Sequence, residues 1–253
     1  MADRPRDDTW WIASDGKWYP SNLQPDSSVA AVVDVQSPAA LKASGVVPSA
    51  LTRIASGALV ATSIMFVVAA FFGLQYGTSL RSASVSDESR ASAEEVFLGW
   101  SSFALFAMVA TGVLILVWTF RTSKAFDARG ATNRRWNRGW TIGAWFIPLA
   151  SFVLPKLVFN ELERISRVPF VGDVIGDQWK EESHSAIGDL WWLLWVVGLF
   201  LFQVTQMLLT DPTVDAGTAD VATSLSSLAH GVLAAAGIAL VVVMRRIESS
   251  SRA

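Results

Sequence analysis

Long apolar runs leave few folds open to this chain. A helix that rises 1.5 Å per residue needs about 20 residues to cross roughly 30 Å of hydrocarbon. Five runs approach or exceed that length: Ile54–Leu74, Val96–Phe120, Trp140–Phe159, Leu190–Leu209 and Leu225–Met244. Four of the five contain no Asp, Glu, Lys or Arg, and 52% of all residues are hydrophobic. The chain is therefore predicted to be an all-α membrane protein with several spans.

The third run differs from the other four because it contains Lys156 and two prolines, Pro148 and Pro155. A proline lacks the backbone N–H and clashes with the carbonyl four residues earlier, so it leaves backbone groups that lipid cannot satisfy. A straight span is therefore not expected here. We expect residues 140–167 to form a proline-broken segment that is either re-entrant or interfacial.

An amphipathic surface helix is predicted to begin at Pro155, which suits the first turn of a helix. Val158, Leu162 and Ile165 then recur on one side. Glu163 and Arg167 are spaced as an i, i+4 ion pair on a polar side.

The distribution of basic residues predicts the topology. Arg245 and Arg246 open the tail, whereas the loop between the fourth and fifth runs has three aspartates and no basic residue. The connection between the second and third runs is strongly basic, with Arg121, Lys124, Arg129, Arg134, Arg135 and Arg138. Basic connections favour the cytoplasmic side, so a third run that does not cross places both basic regions, and both termini, in the cytoplasm. A fifth span is the less favoured alternative.

The N-terminal region contains a short Trp-rich module at residues 1–20. Trp10, Trp11, Trp18 and Tyr19 flank Asp15-Gly16, a dipeptide typical of a hairpin turn. The pattern W-x-x-x-D-G-x-W-Y-P resembles short modules at the N-termini of bacterial membrane and secreted proteins. A flexible linker at 21–52, a membrane domain at 53–246 with spans near 54–74, 96–120, 190–209 and 225–244, and a cytoplasmic tail at 247–253 complete the predicted organisation.

A motif in the third run resembles the signature of a bacterial four-helix membrane family catalogued only as a domain of unknown function, with the pattern GW-x4-WFIP-x6-P. The candidate motif residues are Gly139, Trp140, Trp145, Phe146, Pro148, Pro155 and Glu161. Two positions depart from the family pattern, which has Asn where this chain has Ser151 and commonly an aromatic residue at Glu163. The resemblance implies a membrane location and a fold, and it implies no activity.

Polar residues inside the predicted spans are few. Gln203 and Gln206 lie one turn apart, and His230 lies at a similar predicted depth, so a hydrogen-bonded cluster is a candidate site. Small residues around Gly57 and Gly231 would permit close helix approach, either inside the bundle or between copies in a homo-oligomer. A tryptophan belt at the membrane interface is predicted for Trp118, Trp191, Trp192 and Trp195.

No motif for catalysis, metal binding or cofactor binding is present, and the chain has no cysteine. We therefore expect a non-enzymatic scaffold or interaction protein of the cell membrane, without a cofactor. Its expected partners are membrane lipid and a protein bound through the N-terminal module; nucleic acid is not expected. The alternative is a small transporter or channel that uses the proline-broken segment, because discontinuous helices often line substrate sites.

Overall fold

The computed structural model describes residues 10–12, 18–20, 46–169, 175–209 and 215–252. The contacts divide the chain into two units, Met1–Ala40 and Leu41–Ala253. In the first unit, strands β1 (Trp10–Ile12) and β2 (Trp18–Pro20) pair antiparallel. This pairing confirms the hairpin that the sequence predicts. Its turn residues and most of the predicted linker lie outside the described residues.

The second unit is helical. Four of its described helices are long and apolar enough to cross a membrane, which confirms the predicted four-span fold. They are α1 (Ser49–Arg81), α2 (Asp87–Ala128), α5 (Ala186–Leu209) and α6 (Ala216–Ser250), and two shorter helices lie between α2 and α5, namely α3 (Trp140–Gly143) and α4 (Leu154–Arg167).

The long helices extend beyond the apolar runs that predict them, and polar side chains cap the starts of α2 and α6. The 42 residues of α2 correspond to about 63 Å, well above the roughly 30 Å of hydrocarbon. Its start is capped by Ser86, whose hydroxyl accepts a hydrogen bond from the Ser89 amide at 3.3 Å. The Asp215 carboxylate caps α6 by accepting from the Thr218 amide at 2.9 Å, and this bond holds the pKa of Asp215 below its usual value.

The long helices pack in the order α2, α1, α6, α5, and neighbours in that order are antiparallel. α1 contacts α2 and α6, and α5 contacts α6. Near one end of the bundle, the indole N–H of Trp118 in α2 donates to the Thr52 hydroxyl in α1 at 2.8 Å. Near the other end, Arg81 of α1 pairs with Asp220 of α6 at 3.2 Å. We call the first the basal end; the start of α1, the end of α2, the start of α5 and the end of α6 meet there.

Both basic regions lie at the basal end. The guanidinium of Arg129, which follows α2, donates to the carbonyl of Ser251, which follows α6, at 3.5 Å. An even number of crossings between these two residues is required for this contact. The structure therefore agrees with the charge pattern, which placed both regions on one side.

Glycines allow the helices to approach closely at one of the predicted positions and at two others. A Cβ on Gly237, one of the predicted small residues that follow Gly231, would clash with the Ser63 hydroxyl. A Cβ on Gly73 would lie 2.9 Å from the Phe97 ring and would also clash with the Ser227 hydroxyl. A Cβ on Gly198 would lie 2.7 Å from the Leu233 side chain. In contrast, a Cβ on Gly57 or Gly231 would meet nothing within 4 Å, so these two glycines do not serve packing inside the bundle.

The third apolar run does not form a long helix. It contains α3, a 3-10 turn at Ala150–Phe152 and the start of α4. The chain turns sharply just after Pro148, where Leu149 adopts a φ of 62°. Pro155 lies in the first turn of α4, as predicted, because a proline there sacrifices no helical hydrogen bond.

Replacing Gly73 by Ala is expected to lower the stability of the bundle by about 1–3 kcal/mol, because the new methyl group overpacks the interface with Phe97. Gly57→Ala in the same helix is the matched control, since its methyl group enters open space. Thermal unfolding of the two purified variants in detergent measures the difference. Equal midpoints would contradict the close approach of α1 and its neighbours at Gly73.

Candidate functional site

Residues 129–168 and 175–185, which connect α2 to α5, form a structured region that we call the end cap. Its apolar side chains Trp136, Phe159, Leu162, Ile165 and Trp179 join those of the basal helix ends in one buried cluster. Its two loops are bonded to each other, because the Thr132 amide donates to the Gly176 carbonyl at 2.8 Å. The end cap is therefore part of the bundle core and not a surface loop.

Glu161 is the motif residue that organises the end cap. Its side chain is 4% exposed, and one carboxylate oxygen lies 3.0 Å from Nε of Arg134. The other oxygen accepts from the backbone amides of Arg135 at 2.9 Å and Trp136 at 3.2 Å. Both oxygens of this buried carboxylate are thus satisfied, and α4 is tied to the loop after α2.

Arg134 extends this connection to α2. Its Nη1 donates to the Ser123 carbonyl at 3.1 Å and to the Ser123 hydroxyl at 2.9 Å. The same nitrogen lies 2.6 Å from the Asp127 carboxylate. Arg134 thus bridges Asp127 and Glu161, and Arg138 also pairs with Asp127 at 2.9 Å, so two cations offset the two carboxylates of this largely buried network.

A second buried cation, Arg129, joins the ends of three helices. Besides its bond to Ser251, its guanidinium donates to the Val168 carbonyl at 3.4 Å, at the end of α4. Burial lowers the pKa of Arg129 because the low-dielectric surroundings disfavour the charged form. The ends of α2, α4 and α6 are therefore held together by backbone carbonyls that accept from one side chain.

Glu163 connects α4 to the start of α5. Its carboxylate pairs with Arg167 at 3.1 Å, as the i, i+4 spacing predicts, and accepts from the Ser185 amide at 3.1 Å. Contrary to the prediction of a polar face, Glu163 is 2% exposed. The amphipathic pattern does not reveal the burial of Glu163, because a sequence does not distinguish a buried carboxylate with two partners from a solvated one.

Lys156, the only cation inside the third run, makes a second link between α4 and α5. Its ammonium group lies 2.8 Å from the Asp189 carboxylate and donates to the Asn160 side chain at 2.6 Å. Asp189 also lies 3.3 Å from the His184 ring. The ammonium group of Lys156 is therefore paired within the end cap and α5, although Lys156 belongs to an apolar run.

The remaining motif residues lie in different parts of the end cap. Trp140 contacts Trp136 edge to face at 5.6 Å between ring centroids. Trp145 contacts the rings of Trp192 and Trp195 in α5 at 6.0 and 6.5 Å.

Phe146 is 71% exposed, and Pro148 begins the turn into the 3-10 segment. Pro155 is buried. At Gly139 the backbone is helical, and its amide donates a 3.0 Å hydrogen bond to the Asn137 side chain.

The tryptophans predicted to form an interfacial belt are instead mostly buried. Trp118, Trp191 and Trp192 are 0%, 2% and 9% exposed. Trp118 stacks on Phe159 at 6.1 Å, and Phe159 contacts Trp191 at 5.1 Å. The belt prediction is wrong for these three residues, because their rings pack inside the protein, Trp118 and Trp191 against Phe159 of α4 and Trp192 against Trp145.

The predicted polar cluster does not form among the described residues. His230 is buried, and its Nδ1 donates to the Ser226 carbonyl at 2.6 Å. Its ring contacts the rings of Phe66, Phe97 and Phe202, and its Nε2 has no hydrogen-bond partner within the described part of the chain. Gln203 and Gln206 lie on the exposed face of α5. The predicted depth of the glutamines is similar to that of His230, but they are not on the side of α5 that faces it.

An apolar cavity of about 350 Å³ lies between α2 and α5 and was not foreseen from the sequence. We call it the lateral groove. Its floor is formed by α1 and α6, and Trp145 and Phe146 of the third run contribute to its lining. Sites for small molecules occupy roughly 300–1,000 Å³, so the volume is sufficient for a ligand.

These features define the class of protein as a multi-pass helical membrane protein whose broken third run forms part of a cap at one end of the bundle. A family model described as "Domain of unknown function (DUF4328)" matches residues 81–249, about two thirds of the chain, and the chain belongs to this family. No curated protein and no solved structure gives a significant match.

Replacing Glu161 by Ala is expected to destabilise the protein by about 3–5 kcal/mol, because Arg134 would remain buried with one partner fewer. Asp177→Ala is the matched control, since its 59% exposed carboxylate pairs with Lys180 on the surface, where an ion pair contributes about 0–1 kcal/mol. Chemical unfolding in mixed micelles measures both. If the two variants lose similar stability, the Glu161 network does not hold the end cap together.

Proposed function

We propose that this protein is a non-enzymatic scaffold of the cell membrane, which presents its N-terminal module to a protein partner. The observation that carries this proposal is the bonding of two buried carboxylates of α4, Glu161 of the motif and Glu163. Glu161 and Glu163 each direct both carboxylate oxygens to partners within the chain. A catalytic carboxylate needs a free oxygen within reach of its substrate, so this arrangement favours a structural role.

The proposal places the basal end in the cytoplasm. That end carries exposed basic residues, namely Arg121, Lys124, Arg135, Arg138, Arg245 and Arg246. The opposite end of α2 instead exposes acidic residues, namely Asp87, Glu88, Glu94 and Glu95. Positively charged connections are retained on the cytoplasmic side of a membrane, and this asymmetry supports cytoplasmic termini.

The same basic surface supports an interaction with anionic lipid headgroups. Each basic residue close to an anionic membrane surface contributes about 1 kcal/mol to attraction. Such attraction would hold the end cap against the membrane face and leave the N-terminal module to bind the protein partner.

A small transporter is the second candidate, and the lateral groove is the observation that favours it. Trp145 and Phe146 belong to the broken third run and line the groove, so movement of that run would change access to it. The groove lining is almost entirely apolar, which favours an apolar or amphiphilic cargo over an ion.

Orientation is tested by single-cysteine labelling, because the native chain has no cysteine. Cysteines at Ser84 and Thr218 are expected to react with an impermeant maleimide added to intact cells. Cysteines at Ser185 and Ser249 are expected to react only after the cells are opened. Labelling of Ser249 from outside would overturn the cytoplasmic placement of the basal end.

The scaffold role is tested by deleting residues 1–20 and quantifying proximity-labelled neighbours of the full chain in cells. The deletion is expected to remove a defined neighbour and leave membrane insertion unchanged. Replacing residues 21–40 by a Gly/Ser segment of equal length is the control that keeps the module. Unchanged neighbours, together with solute-dependent water access at a cysteine replacing Ser151, would favour transport instead.

A further inference from the structure

The lateral groove has the position and the dimensions of a site for one lipid chain. α2 and α5 stand at opposite ends of the helix order, with α1 and α6 between them. Along α2 the lining runs from Met108 to Leu116, which corresponds to about 12 Å of helix. One leaflet contributes about 15 Å to the hydrocarbon thickness. The groove therefore covers most of the depth of a single leaflet and does not cross the membrane.

The lining is apolar and includes side chains that face outward. Val109 and Val113 of α2 are 64% and 56% exposed. Both line the groove, together with the exposed Phe146. In a chain that spans a membrane, such an opening faces the lipid phase, and acyl chains are the apolar groups in contact with it.

A polar group marks the basal part of the groove. Trp191 lines the groove and is 2% exposed, yet its indole N–H has no hydrogen-bond partner among the described residues. A buried donor without a partner is costly, by roughly 1–3 kcal/mol, so a matching acceptor is expected. Trp191 is the second residue of the fourth apolar run, and this places it at the edge of the hydrocarbon, where the ester groups of glycerolipids lie.

We propose that the lateral groove binds one acyl chain of a membrane glycerolipid, with the Trp191 indole N–H donating a hydrogen bond to the ester carbonyl of that chain. Trp145 and Phe146 line the groove beside the ester end of this acyl chain. Phe66 and Met108 line the deeper part. This assignment does not depend on the scaffold role, because a resident lipid is compatible with either candidate function.

Gly112 offers a way to fill the groove without disturbing the protein. It lines the groove in α2, and a Cβ built on it meets nothing within 4 Å. The side chain of Gly112→Leu would therefore enter the space assigned to the lipid chain. Gly99→Leu is the matched control: Gly99 lies in the same helix, outside the groove, and its Cβ also enters open space.

The first experiment reconstitutes the full chain into phosphatidylglycerol vesicles in which a fraction of the lipid carries a diazirine on one acyl chain. Illumination is expected to label residues 108–116 in the wild-type chain and in Gly99→Leu. Gly112→Leu is expected to lose most of this label. Equal labelling of Gly112→Leu and Gly99→Leu would overturn the proposal, and so would a crosslink from these residues to a second copy of the chain in place of lipid.

The second experiment tests the hydrogen bond with diester and diether phosphatidylglycerols of identical chains, since the ether lacks the carbonyl acceptor. Native mass spectrometry measures the retained lipid. The wild-type chain is expected to prefer the diester by about three- to tenfold, the effect of one hydrogen bond. Trp191→Phe is expected to bind both lipids equally. Equal retention of both lipids by the wild-type chain, or a preference that persists in Trp191→Phe, would overturn the assignment.

Discussion

The buried charge of Glu161 is the constraint on which the end cap depends. Removing a carboxylate from water costs several kcal/mol unless charges and donors around it compensate. Glu161 receives a donor from the Arg134 side chain and two from backbone amides, and all three come from the loop after α2. The native course of the loop and the docking of α4 therefore depend on each other. Two residues with positive φ, Gly130 and Asn133, give the loop this course.

The same dependence explains why the third run does not form a long helix. Proline breaks leave backbone groups that need partners, and a broken segment is stable only where protein surrounds it. The first turns of α5 supply that surrounding: the Trp192 indole donates to the Phe152 carbonyl at 3.2 Å, and Trp145 packs on Trp192 and Trp195. The charged network thus fixes α4, and α4 together with α5 supports the irregular residues before it.

Most of the fold could be predicted because it follows from composition and local rules. Hydropathy identifies the four spans, the prolines identify the break, and Pro155 identifies the start of α4. The ends of the helices could not be predicted from apolarity, since Ser86 and Asp215 cap helices that continue into water. The side-chain partners also could not be predicted. The tryptophans of a belt and those of a core have the same spacing, and Trp118 is buried through its contacts with Phe159 of α4 and Thr52 of α1.

The apolarity of the third run has a different cause from that of the four spans. Leu149, Phe152 and Val153 are 83%, 50% and 54% exposed, so the middle of this run does not bury its side chains in the core, unlike Val158 and Phe159 at its end. Exposed apolar side chains are stable next to lipid, and the proposed interfacial or re-entrant position of the run provides such contact. Phe146 and Trp145 from the same run line the lateral groove. Because Trp145 also contacts α5 beside Trp191, a lipid chain held in the groove would bear directly on the segment that the Glu161 network keeps in place. The end cap and the lateral groove therefore share the side chains of Trp145 and Phe146, and a change in the packing of one is expected to change the packing of the other.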